Sequence, residues 1–331
     1  MPNKSYTVIL NKKIKPFKKA IRVDSDKSLS IRSFLIGSIC QGVSVAKNVL
    51  ESDDVKSTIS SCRALGVRIT KTKFQQYKIY GKGLGSLRAK KNILDFGNSG
   101  TLARLLIGIL SSTPGINIRI KGDHSLSKRN MSKLIKLMSE FGATFLPKNK
   151  INLPFKLISS PIPIGIKYKS GVSAQLKSAV ILAGLNSYGN TFILEEKRSR
   201  DHTENLLKEN SQSLKIKDTG KKTITIFGKN FLNPININIP GDVSSSAFFA
   251  ALTILNRNSE IKIKDVGLNP TRTGFYLLLK KVNAKIKFSN LNKKNNELRG
   301  DIFIKSSKIK PIRASSEYYV NSTDEYPILF V

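Results

Sequence analysis

Residues 97–110 read GNSGTLARLLIGIL, in which a polar turn rich in glycine and serine leads directly into an apolar run of helical character. Similar turn–helix stretches begin near three other positions in the chain. The four anchors, Asp26, Asn98, Gly171 and Asp242, are separated by 72, 73 and 71 residues. A constant spacing of this size indicates a chain built from repeated structural units.

A second, amphipathic stretch follows each anchor, with apolar residues three and four positions apart. These stretches are residues 52–69, 125–145, 199–216 and 271–286. Gly66, Gly142 and Asn283 end the first, second and fourth, as expected at helix C-termini, whereas the third has no such glycine. Each unit is therefore predicted to contain two helices.

Alternating or β-branched runs between the helices predict strands. Examples are GINIRIKG at residues 115–122 and SEIKIKDV at residues 259–266. Each unit then combines two helices with three or four strands, an α+β class. A fifth anchor begins near Asp324, 82 residues after Asp242, and the chain ends at Val331. A unit that has only begun cannot bury its own helix, so the final unit is expected to be incomplete.

The charge leaves three interpretations open. The chain has 57 Lys and Arg against 22 Asp and Glu, a net charge of +35. This excess is typical of solvated surfaces in a Lys/Asn/Ile-rich chain, of a field that attracts small anionic substrates, or of nucleic-acid binding. Nucleic acid is the least favoured, because no basic arm, zinc knuckle or aromatic RNA-binding stretch is present.

Several classes of protein are disfavoured. No apolar run approaches the roughly 20 residues that cross a bilayer, and the N-terminal stretch lacks the order of a signal peptide, so we expect a cytoplasmic protein without a membrane partner. Cys40 and Cys62 have neither metal-ligand spacing nor the density of a disulfide framework, which favours a reducing compartment. No nucleophile elbow supports a serine hydrolase. We expect no metal and no cofactor.

Eight phrases, taken in order, carry a resemblance to a known family. They are DKSLSIRSFLIGS, GNSGTLARLL, GDHSLSKRNM, SAQLKSAVILAGLN, SRDHTE, GDVSSSAFF, VGLNPTRTG and DEYPIL. Together they resemble the 5-enolpyruvylshikimate-3-phosphate synthase (3-phosphoshikimate 1-carboxyvinyltransferase) family. The phrases SRDHTE and GLNPTRTG favour this family over the related UDP-N-acetylglucosamine enolpyruvyl transferases.

The resemblance implies the enolpyruvyl transferase fold, six βαβαββ units in two lobes with helices inside and sheets outside. Residues 25–239 would form the first lobe, with three units. Residues 1–24 and 240–331 would form the second lobe, which holds about one unit and the start of another. The family's later Lys-Glu-Ser-Asp-Arg motif does not occur, so we expect a C-terminally truncated member with an incomplete second lobe.

The implied activity is transfer of the enolpyruvyl group of phosphoenolpyruvate to the 5-hydroxyl of shikimate 3-phosphate, in chorismate and aromatic amino acid biosynthesis. The implied partners are these two anionic substrates, and the protein is expected to be a monomer. The alternative is a non-catalytic fragment or pseudoenzyme that binds shikimate 3-phosphate without turnover.

Several implied shikimate 3-phosphate ligands also make chemical sense on their own. Lys27 and Ser28 come where a helix should begin, and free N–H groups at helix N-termini bind anions. Arg32 follows one turn later. A capping serine beside two solvated cations would explain the same residues. The resemblance makes Asp324 the catalytic base and Lys27 catalytic as well. The complete implied set for this substrate is Lys27, Ser28, Arg32, Ser173, Gln175, Arg200 and Asp324.

The implied phosphoenolpyruvate site centres on Gly100, where a missing side chain permits close backbone approach. A structural turn with a helix cap is the alternative. Arg129 supplies a planar fork suited to phosphate or carboxylate, although Asn130 replaces the family's usual proline. We interpret His202 and His124 as structural, and Asp201, His202 and Glu204 as possible helix caps. The implied set for this substrate is Lys27, Asn98, Gly100, Arg129 and Gln175.

Overall fold

A computed structural model describes residues 13–331 together with Thr7 and Ile9. The first element of the described residues is strand β1 (Lys18–Ile21), and a first unit follows. That unit contains α1 (Lys27–Ile39), β2 (Gln41–Lys47), α2 (Asp53–Ala64), β3 (Arg68–Lys73) and β4 (Gln76–Lys82).

The second and third units have the same order, but each begins with its own edge strand, and the second has two short helices in place of the second helix. The second comprises β5 (Ile93–Asp95), α3 (Gly100–Ser111), β6 (Asn117–Lys121), α4 (His124–Ser127), α5 (Ser132–Glu140), β7 (Thr144–Leu146) and β8 (Phe155–Ile158). The third comprises β9 (Lys167–Ser170), α6 (Ala174–Gly184), β10 (Asn190–Glu195), α7 (His202–Leu207), β11 (Leu214–Thr219) and β12 (Lys221–Phe227).

The remaining elements begin with the short strand β13 (Asn236–Asn238). A fourth unit then contains α8 (Val243–Leu255), β14 (Glu260–Gly267), α9 (Gly274–Lys281), β15 (Lys285–Lys294) and β16 (Glu297–Lys305). Two short helices follow, α10 (Glu317–Ser322) and α11 (Tyr326–Leu329).

Among the described residues, the strands form four sheets of four strands with one shared topology. In each, an edge strand pairs in parallel with the next strand, and the other two neighbours pair antiparallel. The sheets are β13–β2–β4–β3, β5–β6–β8–β7, β9–β10–β12–β11 and β1–β14–β16–β15. Two edge strands therefore come from far away in the chain, since β13 completes the first unit and β1 completes the fourth.

The helix ends agree with the predicted C-termini. Gly66, Gly142 and Asn283 have φ angles of 88°, 93° and 72°, the left-handed region that favours glycine and asparagine. The second amphipathic stretch was predicted as one helix, which is wrong, because it divides into α4 and α5. The side chain of Asn130 accepts a hydrogen bond from the N–H of Ser132 at 2.8 Å, and this local turn separates the two helices.

The central helices α1, α3 and α6 are more deeply buried than α8. Almost every residue of α1, α3 and α6 is buried, and these helices carry apolar residues on all sides. The close packing of α3 on α6 requires Gly108, since a Cβ there would lie 2.6 Å from the carbonyl oxygen of Ala179. By contrast, α8 leaves Phe248 57% exposed and Leu255 55% exposed.

The buried apolar residues form two separate clusters. The larger runs from Leu29 to Ile239 and contains the central helices of the first three units. The smaller runs from Val243 to Ile304, and Phe17 and Ile21 pack against it. The chain crosses between the two regions twice, where Ser25 pairs with Gly241. Residues next to this crossing lie close to both cores.

Candidate functional site

Three of the central helices begin beside one cavity. Asp26, Ser99 and Ser173 are the N-caps of α1, α3 and α6, and each side chain accepts a hydrogen bond from the N–H three residues later. The cavity has a volume of about 190 Å³. It is lined by Ser28, Arg32, Thr101, Val172, Ser173, Ala174, Gln175, Arg200, His202, Tyr319, Val320, Thr323 and Asp324.

Arg32 is a buried cation in the wall of this cavity. Its side chain is buried and donates to Thr203 Oγ1 at 2.9 Å, to the Ser28 carbonyl at 3.2 Å and to Ser178 Oγ at 3.3 Å. Burial lowers the pKa of Arg32 to about 10, with Asp26 and Glu204 opposing that shift. The guanidinium therefore stays charged at neutral pH. A buried cation held by hydroxyls and a carbonyl is suited to an anionic ligand.

Arg200 and Asp324 meet across the same cavity. Nη2 of Arg200 lies 2.7 Å from Oδ2 of Asp324, and the two side chains are 22% and 48% exposed. Arg200 precedes α7, whereas Asp324 follows α10 near the end of the chain. The ion pair joins a cation of the third unit to a carboxylate of the last segment. Both groups remain accessible to a ligand.

A hydrogen bond between Gln175 and Thr101 connects the first turns of two central helices. Nε2 of Gln175 donates to Oγ1 of Thr101 at 3.0 Å. Thr101 is the second residue of α3, directly after Gly100. The contact therefore links the start of α6 to the start of α3, and it lies in the cavity wall.

Asn98, Gly100 and Arg129 lie together beside the lined cavity. Nη2 of Arg129 donates to Oδ1 of Asn98 at 2.9 Å. A Cβ on Gly100 would lie 2.5 Å from Nη1 of Arg129 and 3.0 Å from Nη1 of Arg104. Burial, and secondly the neighbouring Arg129, lower the pKa of Arg104. The two guanidinium groups packed on one glycine form a cationic surface.

Lys27 lies outside the set of residues that line the cavity. Its side chain is 49% exposed, and its Nζ is 3.8 Å from Oδ2 of Asp54. The backbone N–H of Lys27 faces Oδ2 of Asp242 at 3.5 Å. Of the residues predicted from the sequence, the structure brings Ser28, Arg32, Ser173, Gln175, Arg200 and Asp324 to the cavity wall.

Arg272 is a buried residue that the sequence analysis did not select, although it belongs to the quoted VGLNPTRTG phrase. It contacts Asp26 Oδ2 at 2.5 Å, Asp242 Oδ1 at 3.3 Å and Ser244 Oγ at 2.7 Å. Burial alone would lower the pKa of Arg272, but Asp26 and Asp242 raise it above its ordinary value. Ser244 also donates to Glu325, the neighbour of Asp324. Arg272 therefore joins the N-caps of α1 and α8.

The interpretation of Asp201 as a helix cap is wrong. Asp201 is the N-cap residue of α7, but its side chain makes no capping hydrogen bond. Its Oδ1 instead accepts from Asn205 at 3.2 Å and from Asn269 at 2.7 Å. His202 is buried and lines the cavity, and its Nδ1 lies 2.7 Å from Oε1 of Glu297.

A buried ionic cluster lies behind the cavity. Lys177 on α6 contacts Glu195 at 2.5 Å and Glu204 at 2.7 Å, and all three side chains are at most 1% exposed. Lys222 approaches the same carboxylates at 3.2 and 3.6 Å. Burial would raise the pKa of Glu195, but Lys177 reverses this and lowers it. The cluster ties α6 to α7.

Lys177→Met is expected to lower the free energy of unfolding by about 3–5 kcal/mol, because two buried carboxylates would lose their main counterion. Urea denaturation followed by circular dichroism would measure this loss. Lys169→Met is the control, since Lys169 is 67% exposed and pairs with Glu196 at the surface. The control should leave the unfolding midpoint unchanged. Equal midpoints for the two variants would contradict the expected importance of the cluster.

The described part of the chain has neither a cluster of metal-ligating side chains nor a membrane-spanning helix. No group of three or more His, Cys, Asp or Glu side chains there is arranged to hold a metal ion. No helix among residues 13–331 is long and apolar enough to cross a membrane.

Comparisons with known proteins agree with the ordered motifs. The family model described as EPSP synthase (3-phosphoshikimate 1-carboxyvinyltransferase) matches residues 11–328. The 3-phosphoshikimate 1-carboxyvinyltransferase of Thermodesulfovibrio yellowstonii is 40% identical over 322 residues, covering 97% of this chain and 74% of that relative. The protein of the same name from Sulfurihydrogenibium sp. is 37% identical over 332 residues, again covering 97% and 74%.

Solved structures similar to this chain indicate the same family and fold. EPSP synthase from Acinetobacter baumannii superposes with a TM-score of 0.84 at 35% identity, covering 95% of this chain and 71% of that one. The enolpyruvyl transferase NikO from Streptomyces tendae, at 15% identity and a TM-score of 0.71, shares the fold. The enolpyruvyl transferase fold predicted from the sequence is confirmed. The chain belongs to the EPSP synthase (3-phosphoshikimate 1-carboxyvinyltransferase) family.

Proposed function

We propose that this protein transfers the enolpyruvyl group of phosphoenolpyruvate to the 5-hydroxyl of shikimate 3-phosphate and releases inorganic phosphate. This reaction belongs to chorismate and aromatic amino acid biosynthesis, and it is the one named in the curated relatives. The observation that carries the proposal is the meeting of Arg32, Arg200 and Asp324 at one cavity. Two cations can hold an anionic substrate there while the carboxylate accepts a proton.

Shikimate 3-phosphate would occupy the lined cavity. Its phosphate and carboxylate need several donors, and Arg32, Arg200 and the N-terminus of α6 offer them. Ala174 has no side-chain donor, so Ser173 and Gln175 carry the polar contacts from that helix start. The proposed ligands are Lys27, Ser28, Arg32, Ser173, Gln175, Arg200 and Asp324.

Phosphoenolpyruvate would bind next to it, against Gly100. The adjacent guanidinium group of Arg129 can face the substrate's phosphate or carboxylate, and such contacts become strong where water is excluded. The proposed ligands are Lys27, Asn98, Gly100, Arg129 and Gln175.

The chemistry assigns a proton transfer to Asp324. Its carboxylate takes the proton of the 5-hydroxyl as that oxygen attacks C2 of phosphoenolpyruvate, while C3 gains a proton. The tetrahedral phosphate ketal then loses a proton from C3, and its C2–O bond to phosphate breaks, which releases inorganic phosphate and restores the enol ether. Cations such as Arg129 and Lys27 would stabilise the negative charge on the departing phosphate.

The test is release of inorganic phosphate when both substrates are added to the purified protein. Phosphate release that depends on both substrates supports the transferase. Binding of shikimate 3-phosphate by calorimetry without phosphate release would instead support the non-catalytic alternative. Absence of both would overturn the proposal.

Gly100→Ala is expected to raise the KM for phosphoenolpyruvate about tenfold, because the new methyl group forces Arg129 and Arg104 to move. Affinity for shikimate 3-phosphate should stay unchanged, which calorimetry can check. Gly171→Ala is the matched control, since a Cβ there meets nothing within 4 Å. An unchanged KM in Gly100→Ala would count against placing phosphoenolpyruvate at this glycine.

The proposal extends to organisation and location. Residues 25–239 would form one lobe, and residues 1–24 with 240–331 the other; the two apolar clusters support this division for residues 13–331, and most of residues 1–12 lie outside the described part of the chain. The protein would act as a monomer in the cytoplasm, where its two free, buried cysteines stay reduced. Size-exclusion chromatography with light scattering would test the monomer.

A further inference from the structure

Glu297 is a buried carboxylate that makes three hydrogen bonds beside the cavity. It is the first residue of β16, a strand of the fourth unit, and is 4% exposed. Its Oε1 accepts from Asn205 Nδ2 at 3.2 Å and lies 2.7 Å from His202 Nδ1. Its Oε2 accepts from Asn269 Nδ2 at 3.0 Å. Two of these partners, His202 and Asn205, belong to α7 in the third unit.

The helix that Glu297 contacts has little stability of its own. α7 has six residues, and isolated helices of this length do not persist in water. Its N-cap residue Asp201 gives no side-chain cap, because that carboxylate binds Asn205 and Asn269 instead. Contacts with the rest of the molecule must therefore hold α7 in place. On one side the Lys177 cluster does so, and on the other side Glu297 does.

The position of α7 determines the position of substrate-binding groups. Arg200 lies two residues before α7 begins, and His202 is its first residue. Thr203 accepts the hydrogen bond from Nε of Arg32 at 2.9 Å. Within the described part of the chain, Nε2 of His202 has no hydrogen-bond partner. Glu297 therefore supplies the single hydrogen bond that orients this ring.

The negative charge of Glu297 also favours its contact with His202. Burial alone would raise the pKa of Glu297, but His202 and the two amide donors reverse the shift and hold the pKa below its usual range. The group is thus an anion at neutral pH. An amide in its place would carry no charge, and its NH₂ group would face the NH₂ groups of Asn269 or Asn205.

We propose that Glu297 is a positioning residue for the shikimate 3-phosphate site, reaching from the fourth unit to fix His202 and, through α7, Arg200 and the Thr203–Arg32 contact. This inference rests on the proposed function. It makes the substrate site of the first three units dependent on a residue of the fourth. Arg200 and Arg32 are the proposed substrate ligands, and Glu297 acts on them through His202 and α7.

The first test compares Glu297→Gln with wild type by calorimetric titration of shikimate 3-phosphate. The variant should bind about tenfold more weakly, in line with the loss of one charged hydrogen bond. Glu260→Gln is the control, because Glu260 lies in the same sheet on β14 and pairs with Lys305 at the surface. Its affinity should equal that of wild type.

The second test observes the imidazole ring of His202 directly, by ¹⁵N NMR of protein labelled at histidine. The chain has two histidines, and His124 is exposed, so it serves as an internal reference. In the ligand-free protein, Glu297→Gln should move the ring signals of His202 and leave those of His124 in place. A purely stabilising role for Glu297 would lower the melting temperature without moving the affinity of the folded protein.

The outcomes separate this inference from the proposed function. A folded Glu297→Gln with wild-type affinity and unmoved His202 signals overturns the positioning role and leaves the transferase proposal standing. Failure of wild type to bind shikimate 3-phosphate overturns the proposed function, and this role with it. If Glu297→Gln does not fold, Asn205→Ala removes one donor to the same carboxylate. Asn205→Ala should also weaken the binding of shikimate 3-phosphate. Wild-type affinity in Asn205→Ala would overturn the positioning role of Glu297.

Discussion

Arg32→Ala is expected to raise the dissociation constant for shikimate 3-phosphate by about two to three orders of magnitude. The guanidinium is buried and already held by Thr203, Ser178 and the Ser28 carbonyl. A ligand therefore meets a preorganised cation, and each charged hydrogen bond to it is worth about 1.5–3 kcal/mol. Calorimetry of the binary complex measures the change, without requiring turnover.

The control for Arg32→Ala is Arg22→Ala. Arg22 is 68% exposed and pairs with Asp265 at 3.4 Å, so its removal should leave affinity unchanged. Circular dichroism must first establish that Arg32→Ala is folded, because the substitution also opens a gap beneath the cavity. Arg32→Lys is a milder change, because it keeps the positive charge but loses the planar guanidinium group. Wild-type affinity in both Arg32 variants would refute the placement of the substrate over Arg32.

Asp324→Asn is expected to lower kcat by a factor of about 10²–10⁴, the usual contribution of a general base. The amide preserves the shape of the side chain but accepts no proton from the 5-hydroxyl. It also breaks the ion pair with Arg200, which frees that cation for the substrate. Affinity for shikimate 3-phosphate should therefore persist or rise. Phosphate release under saturating substrates, together with calorimetry, separates the two effects.

Asp53→Asn is the control for Asp324→Asn. Asp53 is also acidic and lies at a helix start, but its side chain is 98% exposed. Its kcat should match that of wild type. If Asp324→Asn retained wild-type kcat, another group would have to accept the proton, and the mechanism above would fail. Loss of both binding and turnover would assign Asp324 to substrate binding alone.

The repeat was predictable because each unit carries its own local signals. A polar turn that supplies an N-cap must precede each central helix, and Ser99 and Ser173 perform that role as the anchors near Asn98 and Gly171 predict. Gly66 and Asn283 end helices for equally local reasons. The exception was the stretch around Asn130, where a side-chain hydrogen bond interrupts an otherwise helical pattern.

The candidate site was predictable in part for a similar reason. Ser28 and Ser173 stand at helix starts, where anion binding has a local signature, and Arg32 follows Ser28 by one helical turn. Arg272 and Glu297 have no such signature. Their partners are 246 and 95 residues away, and a lone arginine in a turn or glutamate in a strand is ordinarily a surface residue.

Local patterns in the sequence were sufficient to predict the period, the α+β composition, the family and six of the thirteen residues that line the cavity. These properties depend on short segments, and the pattern within each segment indicates its structure without reference to distant residues. The tertiary structure decided which strands share a sheet, so that β1 completes the fourth unit and β13 the first. It also decided that Arg272 joins two helix caps and that Glu297 holds α7. These strand pairings and side-chain contacts join segments that are distant in the sequence, and only the folded chain brings such segments together.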